Sequence, residues 1–155
     1  MEFSSKEDIE APIQDVFAAL SEFEAFERSA IRRGVDVQRV DESAQIQVGM
    51  AWEIEFDMRG KRRKAVVTLT RYEPETEIAF EAAGSGLKGQ FELDLMALSP
   101  QRTRMSVSLQ MEAKSLPARL FLQSLKLARG NLSKRFKLKV ADYAKALEDR
   151  FSRTA

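Results

Sequence analysis

The sequence predicts an α+β fold in which an antiparallel sheet is covered by one long C-terminal helix. Short segments between Val35 and Ala113 alternate apolar and polar residues and are separated by turn residues, as antiparallel strands with one wet face do. From Ser115 to Phe151, apolar residues recur every three or four positions, which is the spacing of one face of an α-helix. Because sheet and helix each have one apolar face, we expect them to pack against each other.

The N-terminal part of the sequence predicts one strand and two short helices. Residues Phe3–Ile9 alternate with mostly polar neighbours, which is typical of a strand with one face in water. Pro12 fits the first turn of a helix, since its missing N–H would be unpaired there, and apolar residues follow it at helical spacing. A second short helix is expected over Ser21–Arg33, ended by Gly34, because glycine readily adopts the left-handed conformation.

Two hairpins are the clearest features of the predicted sheet. A tight turn at Arg59–Gly60 pairs Asp57 with Arg62 and places Trp52 beside Val67. The carboxylates of that strand then face Arg62 and its neighbours, so we interpret them as a solvated salt-bridge ladder and not as an acid–base or cation site. The last hairpin turns at residues 99–101, and its two strands alternate apolar and polar side chains over their whole length.

The composition excludes several classes of protein and site. At 155 residues the chain is most simply one domain, 1–155. It has no His and no Cys, so it forms neither a Ser-His-Asp or Cys-His constellation nor a disulfide, and we expect no metal and no cofactor. A net charge of +1 with both signs interspersed argues against a nucleic-acid partner. Since no secretory signal and no apolar run near ~20 residues is present, we expect a cytoplasmic protein.

Four features together resemble a known superfamily. They are the end of the first strand at residues 9–12, the helix at 13–17, the start of a strand at Gly49-Met50-Ala51-Trp52, and the amphipathic C-terminal helix. With these the chain resembles the Bet v 1/START-like (SRPBCC) helix-grip superfamily, which includes polyketide cyclases and lipid-transfer domains. The resemblance implies a curved sheet of about seven strands, two short helices, and a long C-terminal helix packed on the concave face over a cavity for a small apolar molecule.

The predicted ligand site consists of large apolar residues on the inner face of the sheet and of the C-terminal helix. They are numerous relative to the one long and two short helices available to cover them, which favours a cavity. The same residues also suit a filled core, so the pattern leaves both interpretations open. The predicted site residues are Trp52, Ile54, Phe56, Leu69, Phe80, Phe91, Leu93, Met105, Val107, Leu109, Leu125 and Phe136.

The C-terminal helix carries a second apolar line, formed by Leu116, Leu120 and Leu127. No acidic residue occurs between Lys114 and Lys139, although basic residues are frequent there. Leucine beside lysine and arginine suits peripheral contact with an anionic membrane, another subunit or a ligand, whereas complementarity to the helix dipole is the simpler interpretation. A straight helix of this length would reach ~55 Å, so we expect it either to overhang the sheet or to bend near residues 130–131.

We interpret the chain as a protein that binds or transports a small hydrophobic ligand of lipid, polyketide or aromatic type. Two alternatives stay open. One is a polyketide cyclase- or dehydratase-like enzyme in which Arg63, Arg71 or Tyr72 supplies a polar group. The other is a protein-interaction module built on the basic C-terminal helix. The sequence leaves catalysis, the identity of the ligand and the oligomeric state undetermined.

Overall fold

The computed structural model describes residues 1–41 and 45–152, and in these ranges seven antiparallel strands form one open sheet in the order β1-β7-β6-β5-β4-β3-β2. Residues 42–44 and 153–155, which the predicted domain includes, lie outside the described part. The elements are β1 (Glu2–Ile9), α1 (Ile13–Leu20), α2 (Phe23–Arg32), β2 (Asp36–Arg39), β3 (Ala51–Met58), β4 (Lys61–Glu73), β5 (Glu77–Gly84), β6 (Leu87–Ser99), β7 (Arg102–Ala113), α3 (Leu116–Leu127) and α4 (Arg129–Ser152).

The predicted α+β helix-grip architecture is confirmed, as is the register of its first hairpin. Trp52 pairs with Val67 and Asp57 with Arg62 across β3 and β4. The outer face of this hairpin carries the expected ion pairs, with the Lys64 ammonium 3.4 Å from the Glu55 carboxylate. Exposed pairs of this kind contribute about 0–1 kcal/mol, so they assist the register without determining it.

The core lies between the sheet and the helices α1 and α4. Ile9, Val16, Leu69 and Met105 are almost completely buried there. Thr103, the one buried polar side chain among the described residues, donates its hydroxyl to the carbonyl of Ala11 at 2.9 Å. That bond satisfies both groups where no water reaches. The strands supply one wide apolar face. Helix α4 packs along β1, which is an edge strand of the sheet.

The C-terminal helix predicted over residues 115–151 is interrupted at Ala128, two residues before the bend expected near residues 130–131, and forms two helices, α3 and α4. A straight helix of that length would extend beyond the sheet, and the break lets each part pack separately. The start of α3 is fixed to the sheet, since the Lys114 amide donates to the Gly86 carbonyl at 2.6 Å and the Ser115 hydroxyl accepts from the Ala118 amide. Among the described residues, no helix is long and apolar enough to cross a membrane.

Candidate functional site

A cavity of about 610 Å³ lies between the concave face of the sheet and the helices α2 and α4. This volume falls within the range that small-molecule sites usually have, about 300–1,000 Å³. Nearly all of its walls are apolar. The lining residues are Leu20, Phe23, Phe26, Glu27, Ala30, Val37, Trp52, Ile54, Val67, Phe80, Ala82, Gly89, Phe91, Leu93, Met105, Val107, Leu109, Phe136, Lys139, Val140 and Tyr143.

The structure brings most of the sequence-predicted site residues together at this cavity. Those that line it are Trp52, Ile54, Phe80, Phe91, Leu93, Met105, Val107, Leu109 and Phe136. All but Phe136 come from strands, where the two-residue period places successive inner residues on one face. Whether they contact a ligand stays a prediction.

Three predicted site residues do not line the cavity. Leu69 is on the same face of β4 as Val67 but is completely buried in the core, so it does not reach the cavity. Phe56 lies two residues beyond Ile54, close to the β3–β4 turn and outside the lining. Leu125 belongs to α3, which contacts that turn through Arg59 and not the cavity. The break at Ala128 is the reason, because it separates α3 from the part of the helix that covers the cavity.

The wall formed by α2 was missed by sequence reasoning. Phe23, Phe26, Glu27 and Ala30 all face the cavity, together with Tyr143 and Lys139 of α4. The spacing of three and four residues in α2 shows one helix face, but it does not show that this face covers the sheet. A usable signal was Glu27, since a charged residue within an apolar helix face requires a partner.

Glu27 has its partners on the sheet. One carboxylate oxygen accepts hydrogen bonds from the Trp52 indole N–H at 2.6 Å and from Arg39 Nε at 2.5 Å, and the other accepts from the Arg39 guanidinium at 3.4 Å. The bond to Glu27 raises the pKa of the Arg39 guanidinium above its usual value. This arrangement neutralises the carboxylate and fixes the indole, so the cavity presents the apolar ring of Trp52 rather than its N–H.

Aromatic rings form much of the inner wall. Phe23 packs edge-on against Trp52 and against Phe80, with ring centroids 5.6 Å apart in each case. Phe91 packs beside Phe80, with the ring centroids 6.5 Å apart. Such tilted contacts are favourable between aromatic rings and hold them in place along the cavity wall. The wall therefore suits a flat or chain-like apolar molecule.

The side of the cavity between α2 and α4 reaches solvent. There Phe26, which is 43% exposed, packs against Tyr143 with the ring centroids 6.0 Å apart. Lys139 is exposed at the same place. Burial raises the pKa of Tyr143 to about 12; the Glu22 carboxylate adds to this shift and Arg150 opposes it. The phenol is thus a neutral group at neutral pH. We infer that the contact of Phe26 with Tyr143 narrows the mouth of the cavity.

An open antiparallel sheet wrapped around a C-terminal helix, with an apolar cavity between them, defines the START- and Bet v 1-like class of helix-grip proteins. The comparisons with known proteins agree with this class. The chain belongs to the polyketide cyclase/dehydrase and lipid transport family, whose model matches residues 1–148. The sequence matches no curated protein.

Several solved structures share this fold. A protein from Thermus thermophilus is 16% identical with a TM-score of 0.64, and the match covers 100% of this chain and 99% of that one. A START superfamily protein from Mycobacterium smegmatis is 16% identical with a TM-score of 0.62 and 99% coverage of both chains. The Zhui aromatase/cyclase from Streptomyces sp. R1128 is 13% identical with a TM-score of 0.62, covering 99% of this chain and 94% of that chain. At these identities the likeness shows the fold alone.

Proposed function

We propose that this protein binds a small hydrophobic molecule of lipid, polyketide or aromatic type in the cavity between the sheet and the helices α2 and α4. One observation carries the proposal, namely a cavity of about 610 Å³ with almost entirely apolar walls. Protein interiors are usually filled to crystal-like density, so a space of this size has a cost in stability that ligand binding offsets. The polyketide cyclase/dehydrase and lipid transport family, to which the chain belongs, supports the same class of function.

The cavity wall favours binding over catalysis. Glu27 is its one carboxylate among the described lining residues, and both oxygens of that group already accept hydrogen bonds from Arg39 or Trp52. General acid–base catalysis needs a group free to exchange a proton with the substrate. We therefore place ligand binding or transport ahead of a cyclase- or dehydratase-like reaction that would use Glu27 as its acid or base.

Trp52 provides the test, because it is the one tryptophan, is 5% exposed and lines the cavity. Its emission should be blue-shifted, and titration with fatty acids or flat aromatic compounds should change it saturably. A micromolar dissociation constant corresponds to about 8 kcal/mol, which is reasonable for an apolar molecule enclosed by the cavity. Ligands that bind should also raise the melting temperature.

A pair of adjacent alanines gives a matched control. Ala82 lines the cavity, whereas Ala83 is exposed on the other face of β5. Ala82→Met should fill part of the space, raise the melting temperature and weaken ligand binding, whereas Ala83→Met should change neither property. Equal binding by the two variants, or a broad apolar panel that leaves emission and melting temperature unmoved, would contradict the proposal.

A second proposal concerns the outer surface of α3, for which we propose contact with an anionic membrane. Leu116, Leu120 and Leu127 are 68%, 58% and 92% exposed and share one side of this helix. Within the described residues, neither basic side chain of α3, Arg119 or Lys126, forms an ion pair, and α3 contains no acidic residue. Leucines that enter the headgroup region beside free cations match a negatively charged bilayer in both polarity and charge.

Vesicle sedimentation tests this surface. The protein should bind vesicles that contain phosphatidylglycerol more tightly than vesicles of phosphatidylcholine alone, and added salt should weaken the binding. Leu120→Asp combined with Leu127→Asp should reduce it at least about tenfold with the fold intact. Met96→Asp with Leu98→Asp, two exposed positions on β6, is the control and should bind as the wild type does. Unfolding of the first variant would show that these leucines belong to the core, and equal loss in both would refute the proposal.

A further inference from the structure

Arg63 lies on the concave face of the sheet, on the same side as the cavity. In the register of β3 and β4 it pairs with Phe56, and the next inward pair along the hairpin is Ala65 with Ile54, which lines the cavity. Two residues of a strand span roughly 7 Å, so Arg63 is one inward step beyond the cavity wall. The long side chain of arginine is able to cover that distance.

The guanidinium of Arg63 has an unsatisfied donor. Its Nε atom is buried and has no hydrogen-bond partner, and within residues 1–41 and 45–152 it forms no ion pair. The acidic residues of β3, among them Glu55 and Asp57, alternate onto the opposite face and are paired there with Arg62 and Lys64. A buried polar donor without a partner is rare in proteins and calls for an acceptor from outside the chain.

The β3–β4 turn, which lies close to Arg63 along the chain, is attached to α3. At the β3–β4 turn, the guanidinium of Arg59 lies 4.7 Å from the ring centroid of Phe121 and donates to the Ser124 hydroxyl at 2.7 Å. These contacts tie the turn to α3 at the same end of β4 as Arg63. A ligand group bound to Arg63 would therefore lie at the β3–β4 turn end of the concave face.

We propose that Arg63 is the anion-binding residue of the cavity, and that the ligand is an amphipathic acid. Its carboxylate would accept hydrogen bonds from the Arg63 guanidinium, and its apolar body would lie along the aromatic wall of Trp52 and Phe80. Arginine matches a carboxylate with two parallel N–H donors, which gives both affinity and orientation. This inference rests on the proposed function and adds the chemical class of the ligand to it.

The adjacent residue is a natural control. Arg62 has the same charge but points to the outer face, where it pairs with Asp36, Glu55 and Asp57. Trp52 emission would be titrated with dodecanoic acid and 2-naphthoic acid, and with their methyl esters, in the wild type and in Arg63→Met and Arg62→Met. The esters keep the apolar body and remove the charge, so the acid-to-ester ratio of affinities isolates the anion contact.

We expect the wild type to bind at least one acid roughly tenfold more tightly than its ester. Arg63→Met should abolish this preference, retain ester binding and keep or raise the melting temperature, since it removes a buried unsatisfied donor. Arg62→Met should keep the preference. Arg63→Lys, which preserves charge without the two parallel donors, should give an intermediate ratio and serves as the test if Arg63→Met does not fold.

The outcomes separate the two proposals. If the wild type binds acids and esters equally, Arg63 has no anion-binding role, although the cavity remains a ligand site. If Arg62→Met loses the preference for acids over esters as completely as Arg63→Met does, net positive charge causes that preference. The proposal that Arg63 binds the carboxylate is then overturned. If neither acids nor esters bind, and Ala82→Met gives no difference, the proposed function itself fails.

Discussion

Single side chains determine the character of the cavity in this protein. Glu27 would make the wall polar if it were free, but Arg39 and the Trp52 indole occupy its oxygens. Arg63 is the opposite case, because its buried Nε has no acceptor among the described residues. A satisfied carboxylate and an unsatisfied guanidinium on one concave surface bias that surface toward acidic apolar molecules.

The raised pKa of Tyr143 makes the stability of the protein depend on pH. Its pKa of about 12 in the folded protein exceeds the usual value of about 10, because burial disfavours the phenolate. The folded state therefore holds this proton more tightly than the unfolded chain does. The resulting stability is fully present below about pH 10 and is lost as the pH rises toward about 12.

We therefore expect the free energy of unfolding to fall above about pH 10, by up to ~3 kcal/mol from this residue. Urea titrations across that range would measure the decrease. Tyr143→Phe should remove this part of the pH dependence and change stability little at neutral pH. An unchanged slope in Tyr143→Phe would show that other groups cause the alkaline loss.

Among the elements, α3 differs most from its expected form. It begins where the β5–β6 turn meets Ser115, and the left-handed Gly86 at that turn has φ +76°. A Cβ added to Gly86 would overlap the Ser115 hydroxyl and lie 2.9 Å from the Ser115 Cβ. The position of α3 thus depends on a glycine in a strand turn.

Gly86, at the start of α3, and Gly130, in α4, give opposite expectations for stability. Gly86→Ala should lower the free energy of unfolding by about 1–3 kcal/mol, because it strains the backbone and displaces the start of α3. Gly130→Ala should raise it by about 0.5–1 kcal/mol, since Gly130 lies in α4 with open space around it. Thermal or chemical denaturation of both variants would check this. A neutral Gly86→Ala would mean that α3 is not fixed at Ser115.

For the whole molecule, the shape of the sheet explains why a cavity exists. α4 runs along β1 at one edge, whereas α2 approaches β2 at the other. Between these edges the concave face carries inner residues of β3 to β7, and the cavity lies over these residues. The core is correspondingly concentrated near α1, where Ile9, Val16 and Met105 are almost completely buried.

The architecture and most of the sheet follow from the pattern of residues along the chain. Periods of two and of three to four residues distinguish strands from helices, and the turn at Arg59–Gly60 predicts a register that the structure confirms at Trp52 and Val67. The inner face of each strand follows from the same alternation. These are local properties of the chain, so they can be predicted without knowing which helix packs against which strands.

The extent of the cavity, in contrast, depends on how the elements pack in three dimensions. The residue pattern placed Phe56, Leu69 and Leu125 in the site, but Leu69 lies in the core and the other two lie at the α3 end. The α2 wall and the partners of Glu27 also depend on packing, whereas the break at Ala128 lies two residues before the bend that helix length led us to expect near residues 130–131. The wall and these partners depend on how far one element lies from another along a curved sheet, and residue spacing carries no information about that distance.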